Sequence, residues 1–306
     1  MSTVRIINAD VRAGLATLAD ESAHCCVTSP PYWGLRDYGV KGQLGLEPTP
    51  EEYVGNMVEV FRDVRRVLLD DGTLWLNMGD CYAQQGGPGW QGKNGQRADR
   101  RFTASRETAP MRAVARHPPD GLKPKDLVGM SWRIAFALQA DGWWLRSDIV
   151  WHKPNPMPES VTDRPTKAHE YVFLMAKSER YYYDYDGVRE PCSSGPSDVK
   201  KMKVGTQRSV GSPDGRNMRD VWTIATASYH GAHFATFPEE LARRCIAAGC
   251  PEGGTVLDLF GGAGTVGLVA AKMGRDAVLI ELNAEYVRLA RDRIDGKVGL
   301  MTAVHA

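Results

Sequence analysis

Two stretches of this 306-residue chain bring together residue types that could do chemistry. The first is Thr28-Ser29-Pro30-Pro31-Tyr32-Trp33, reached through the apolar run Cys25-Cys26-Val27. Two prolines fix φ, remove two backbone donors and push the residue before each to extended geometry, so a hydroxyl and two aromatic rings are held in a stiff, predefined turn. A rigid surface turn is the plainer reading of Ser-Pro-Pro. The second stretch is Asp258-Leu259-Phe260-Gly261-Gly262-Ala263-Gly264-Thr265-Val266-Gly267, with Glu281 ending the next apolar run. This spacing gives a backbone turn that a ligand can approach closely, followed by a carboxylate able to accept both hydroxyls of a ribose. It points to a nucleotide-like cofactor; a tight glycine turn without a ligand is the alternative.

Gly262-x-Gly264-x-x-Gly267 is literally G-x-G-x-x-G, so a nicotinamide-dependent oxidoreductase competes for this motif. Asp258 argues against it. A carboxylate just before the glycines repels a pyrophosphate but pairs with a cationic amino-acid moiety. S-adenosylmethionine carries such an ammonium group, a sulfonium and a ribose.

The elements that must position these groups follow from the alternation of short apolar runs with helical patterns. Strands are expected at 4–8, 24–29, 72–79, 144–153, 170–177, 255–260 and 277–282, which implies a mostly parallel sheet covered by helices. Thr49-Pro50-Glu51-Glu52 reads as a capping box opening a helix through Tyr53, Met57, Phe61, Val64 and Leu68, stopped at Asp71-Gly72. A second helix starts near Pro238, carries Leu241, Cys245 and Ala248 on one stripe and ends at Gly249.

A net charge of +1 announces no global attraction for nucleic acid or membrane, so any such surface must be local. No apolar run approaches the length of a membrane span and no cleavable signal is recognised, so a cytoplasmic protein without a membrane partner is expected. The six cysteines form no C-x-x-C pair and read as reduced structural thiols, with no metal site. Two stretches break the α/β pattern. Residues 84–121 are rich in Gly, Pro and Arg, and between Lys93 and Arg116 seven basic residues (Lys93, Arg97, Arg100, Arg101, Arg106, Arg112, Arg116) face only Asp99 and Glu107. Residues 193–219 are similar in kind. Each reads either as a solvated linker or, as a flexible basic insertion, as a grip on a phosphate backbone.

Together TSPPYW, GWWLRSDIVWHKPNPMPES, DRPT, HEYVFLMAKS, DVW, FPEELARRCI and DLFGGAGTVGL resemble the amino-group DNA methyltransferases of the circularly permuted, beta-type order. The resemblance spans nearly the whole chain apart from the two basic insertions; the family often has Asp-Pro-Phe where this chain has Asp258-Leu259-Phe260. It implies a doubly wound, mostly parallel, seven-stranded Rossmann-like sheet whose first two strands come last in the chain. It divides the molecule into a catalytic half at 1–177, a target-recognition region at 178–220 and a cofactor-binding half at 221–306. It implies that Ser29, Pro30, Pro31 and Tyr32 form the target-amine pocket. Asp258, Phe260, Gly261, Gly262 and Gly264 would border the methionine part of S-adenosylmethionine, Glu281 the ribose and Asp10 the adenine, while Thr236, Phe237 and Pro238 open the helix beside the methionine end. For Asp10 a helix cap is an equal reading. The partners implied are double-stranded DNA, a second copy in a homodimer, and a cognate restriction endonuclease.

The resemblance also explains the stiff turn. An exocyclic amine is a poor nucleophile because its lone pair is delocalised into the ring. If it donates to Ser29 Oγ and to the Pro30 carbonyl, the nitrogen is drawn toward tetrahedral geometry with its lone pair facing the methyl donor. The base must leave the duplex, and Tyr32 would give it a stacking face. No general base is evident, so the proton is expected to leave to water. Ser29 favours cytosine N4 over adenine N6 on family tendency alone. Transfer to RNA or a protein glutamine, and a DNA-binding module without activity, are the remaining alternatives. Cytosine C5 methylation is set aside, because Pro191-Cys192 begins a Ser/Gly-rich stretch and not a strand end beside the cofactor.

Overall fold

The computed structural model describes residues 2–83, 121–191, 215–229, 232–298 and 302–305. In chain order the elements are β1 (Ser2–Asn8), α1 (Val11–Ala16), β2 (Ala23–Thr28), α2 (Pro50–Val67), β3 (Leu68–Met78), α3 (Met130–Ala140), β4 (Trp144–His152), β5 (His169–Ala176), β6 (Val221–Thr223), β7 (Ala227–Tyr229), β8 (Ala232–Thr236), α4 (Glu239–Gly249), β9 (Thr255–Asp258), α5 (Thr265–Lys272), β10 (Asp276–Glu281), α6 (Ala284–Val298) and β11 (Thr302–His305). One sheet has the order β11-β1-β10-β9-β2-β3-β5-β4-β6; β7 and β8 form a separate hairpin. All ladders of the large sheet are parallel except those of β5, which runs antiparallel to both β3 and β4. The seven strands expected from sequence form its centre. Two short edge strands, β6 and β11, raise the count from seven to nine.

Both faces of the sheet are buried, which is why its strands read as nearly continuous apolar runs. Cys25, Val27, Trp75 and Leu174 face the core beneath α4, α5 and α6, whereas Cys26, Leu74, Phe173 and Met175 face the core beneath α1, α2 and α3. The adjacent cysteines thus lie on opposite faces, and the five described cysteines are free thiols.

The α2 N-terminus forms as its sequence suggests: Thr49 Oγ1 accepts from Glu52 N at 3.2 Å, with proline in the first turn. Its C-terminus differs. The helix ends at Val67 and Leu68 enters β3 at once, so Asp71-Gly72 is not a helix stop. Pairing jumps from Ala23–Leu68 to Cys25–Thr73, and the intervening residues bulge from the ladder. Gly72 is needed there because a Cβ would sit 2.9 Å from both Leu68 Cβ and Leu69 O.

Beyond β5 the chain packs back onto the core: Tyr183 stacks on Trp75, which also stacks on Trp222, each at 6.4 Å between centroids. Glu190 and Arg216 then form an antiparallel bridge, reinforced by ion pairs from Glu190 to Arg216 at 3.2 Å and to Arg219 at 2.8 Å. Residues 84–120 and 192–214, which take in most of the two basic stretches at 84–121 and 193–219, lie outside the described residues.

Candidate active site

Parallel strands deliver their C-terminal ends to one edge of the sheet, and antiparallel β5 delivers its N-terminal end to the same edge. There the described residues line a cleft of about 580 Å³. It gathers Asp10, Ser29, Pro30, Pro31, Tyr32, Phe237, Asp258, Phe260, Gly261, Gly262 and Glu281 from stretches as far apart in sequence as β1 and β10. Gly264 is not in the lining. Its φ of +73° and a would-be Cβ 2.8 Å from Ala290 Cβ assign it to turning the loop and seating α6. Pro238 is the N-cap of α4.

In one half of the cleft, the glycine turn and two carboxylates form a cradle. Asp258 is 4% exposed; its Oδ1 accepts from Thr28 Oγ1 at 2.8 Å and from Phe260 N at 3.2 Å. Burial pushes its carboxyl up to about 7, opposed by these two hydrogen bonds and reinforced by the negative Glu281. Glu281 is likewise raised by burial, against backbone donors: Oε2 accepts from Gly262 N at 2.8 Å and Oε1 from Asn283 N at 2.7 Å. Each Glu281 oxygen retains a lone pair for a further donor. A Cβ on Gly262 would meet only Phe260 O, at 3.8 Å, so this backbone faces open space. Asp10 caps α1, accepting from Arg12 N at 3.0 Å, and also lines the cleft. An ammonium for Asp258 and hydroxyls for Glu281 match this donor and acceptor set.

In the other half, Tyr53 Oη donates to the Pro31 carbonyl at 2.6 Å, and Trp33 Nε1 donates to Glu47 O at 2.9 Å. These bonds pin the proline turn from behind. Ser29 and Pro30 line the cleft itself. Ser29 Oγ donates to Tyr32 Oη at 3.4 Å, and Tyr32 Oη donates to Glu170 Oε2 at 2.7 Å. Asn77 Nδ2 also donates to Glu170 Oε2, at 3.1 Å, while Lys153 pairs with the other Glu170 oxygen. Burial first, then the Glu170 charge, raises the Tyr32 phenol well above its usual range, so it is a neutral donor.

Set in this fold, the match to the DNA methylase family (N6/N4 type) over residues 23–292 is decisive. The chain belongs to that family. Relatives include two type II methyltransferases: M.SmaI of Serratia marcescens, 48% identical over 294 residues covering 96% of this chain and 91% of the relative, and M.XycI of Xanthomonas campestris pv. cyanopsidis, 49% identical over 294 residues covering 95% and 88%. Among solved structures, PvuII DNA methyltransferase (cytosine-N4-specific) superposes with a TM-score of 0.65 at 18% identity, covering 100% of this chain and 95% of that one. TTHA0409 of Thermus thermophilus, complexed with S-adenosyl-L-methionine, gives 0.61 at 24% identity, covering 99% and 100%. At those identities the likeness establishes the Rossmann-like methyltransferase fold. This methylase is therefore a DNA-modifying enzyme acting on an exocyclic amine.

Several residues of the methylase site were not evident from sequence. Asn77 and Glu170, which hold the Tyr32 hydroxyl, and Lys153, which pairs with Glu170, carry no site role in the sequence reading. A polar residue inside the apolar run Leu74-Trp75-Leu76-Asn77-Met78 was the available signal for Asn77. Gly79 presses on the Tyr32 ring, since a Cβ there would lie 2.4 Å from Tyr32 Cε2. Behind the glycine loop, Arg293 donates to Ala263 O at 3.0 Å and Thr265 Oγ1 at 2.8 Å, bracing the loop from α6. The arginine-rich set Lys93, Arg97, Arg100, Arg101, Arg106, Arg112 and Arg116 lies outside the described residues, as does the Thr236 side chain. Among the described residues there is no cluster fit to hold a metal ion and no helix long and apolar enough to cross a membrane.

Proposed function

We propose that this methylase transfers a methyl group from S-adenosylmethionine to N4 of a cytosine extruded from duplex DNA. The observation that carries the reading is the shared cleft: Ser29, Pro30, Pro31 and Tyr32 line the same cavity as Asp258, Gly262 and Glu281. Asp258 would take the cofactor's ammonium, Glu281 its ribose hydroxyls, and the Gly262 backbone its close approach. When bound, the cofactor supplies an electrophilic methyl on a sulfonium. The chain's own residues do the rest. The two amine N–H groups donate hydrogen bonds to Ser29 Oγ and the Pro30 carbonyl, the methylated nitrogen then loses its proton to water, and Tyr53 keeps the Pro31 carbonyl occupied, so the acceptor pair is defined. Glu170 and Asn77 hold Tyr32 beside Ser29, with its ring available to the base.

Cytosine is favoured by Ser29 at the first motif position and by the likeness to the PvuII methyltransferase, which is cytosine-N4-specific. The type II names of the relatives support a companion restriction endonuclease with the same target. The test is to express the chain in a host lacking DNA methylation, map modified sites by long-read sequencing, and weigh the nucleosides after digestion. N4-methylcytosine at one short sequence is expected. N6-methyladenine would overturn the base assignment, and 5-methylcytosine the mechanism.

A further inference from the structure

The connection between β4 and β5, residues 153–168, forms one lip of the cleft and carries Pro154, Pro156, Pro158 and Pro165. Met157, between two of these prolines, is 82% exposed, the highest value among the exposed large hydrophobic side chains described; the next are Phe136 and Val221 at 56%. It also lines the cleft. A single exposed methionine is ordinary on a protein surface, so its setting must decide.

That setting is stapled. Asn155 exchanges two hydrogen bonds with Thr226, donating to its carbonyl at 3.4 Å and accepting from its N–H at 2.9 Å. Lys153 N donates to Ala168 O at 2.8 Å, closing the base of the loop. Arg164 donates to Glu159 Oε2 at 2.6 Å and to Pro165 O at 3.1 Å, and lies 3.9 Å from the centroid of the Tyr82 ring. The flanking prolines fix φ on both sides of Met157. An unbranched apolar side chain is thus held out into water, on a braced lip, at the mouth of the cleft that Ser29, Pro30 and Tyr32 line. Extruding a base leaves a gap in the stack, and an apolar side chain entering from the protein offsets the lost stacking.

We propose that Met157 is a positioning residue that enters the base stack of the DNA as the target leaves it, holding the extruded state open. The inference rests on the reading above that the base is flipped out. Its distinguishing consequence is that the need for Met157 scales with the cost of extrusion.

The experiment uses the full chain and two synthetic duplexes carrying the site found by sequencing, one fully paired and one with an abasic position opposite the target. Met157→Gly should lower kcat/KM at least about tenfold on the paired duplex and less than about twofold on the abasic one, with Met157→Leu restoring most of the loss. Its melting temperature and its calorimetric affinity for S-adenosylmethionine should match those of the parent. An unchanged rate on the paired duplex, or an equal loss on both duplexes, would overturn the proposal. If the parent enzyme gains no binding or rate from the abasic partner, base extrusion fails and the wedge fails with it; if it gains and Met157→Gly is still neutral, only the wedge fails.

Discussion

Thr28 Oγ1 and Asp258 Oδ1 are 2.8 Å apart, and the same hydroxyl accepts from Leu259 N at 3.3 Å. Through this one side chain the strand leading into the Ser-Pro-Pro turn is bolted to the strand leading into the glycine loop. The Ser-Pro-Pro turn begins at the next residue, Ser29, and the glycine turn three residues after Asp258, at Gly261, so the contact fixes the two turns relative to each other.

Asp258 gives the first prediction, which is pH dependence. Its carboxyl, normally at 3.8, is pushed up to about 7, mainly by burial, so the folded state favours the protonated form. The associated stability is fully present below the unfolded pKa and is lost as pH rises through about 7. The cofactor-free protein should therefore show a melting temperature that falls from about pH 5 to about pH 8, and Asp258→Asn should flatten that fall. Affinity for S-adenosylmethionine should rise over the same interval as the carboxylate forms, and Asp258→Asn should bind weakly with a smaller rise by calorimetry. A parent affinity that falls with pH would contradict the ammonium pairing.

Glu281 separates shape from charge. Because both oxygens already accept backbone N–H groups, Glu281→Ala removes a brace of the loop as well as a ribose acceptor, and cofactor binding should weaken by roughly 1 to 3 kcal/mol. Glu281→Gln keeps the size but turns one acceptor into a donor facing a backbone donor. It should recover little of the loss, and full recovery would show that bulk alone matters there.

Ser29→Ala should lower kcat by roughly 10² if its hydrogen bond acts in the transition state, while leaving S-adenosylmethionine affinity intact. Single-turnover rates on DNA carrying the mapped site read this directly. A change confined to KM for DNA would reduce Ser29 to a ground-state contact.

Gly79→Ala tests the backing of Tyr32. The new methyl would lie 2.4 Å from Tyr32 Cε2, so the ring must move and its hydroxyl must leave Glu170 or Asn77. Displacements of about 1 Å at a reacting centre cost on the order of 10² in rate, so a large fall in kcat with unchanged cofactor binding is expected. Tyr32→Phe in the same assay should fall less, since it keeps the ring while losing only the hydroxyl.

Neutralising the basic set from Lys93 to Arg116 should flatten the salt dependence of DNA binding, with cofactor affinity spared. An unchanged slope in binding titrations would leave that segment without a role in holding DNA.

Much of this molecule was legible in the chain itself. The seven central strands, the Thr49 cap, the glycine turn with its trailing Glu281 and the Ser-Pro-Pro turn are local patterns, written in residues a few positions apart. Their physics is local too: period, capping, fixed φ. What only the tertiary structure decided depends on which strand ends share an edge. Glu170 meets Tyr32 across 138 positions because β5 runs antiparallel and so brings its first residues, not its last, to the cleft. Strand direction is set by how the whole sheet closes its core, and the alternation of apolar residues is the same read either way. The same reason hid the true end of α2, where register against β2 overrode a sequence that looked like a stop, and hid Gly79, whose missing side chain acquires meaning only from the ring folded against it.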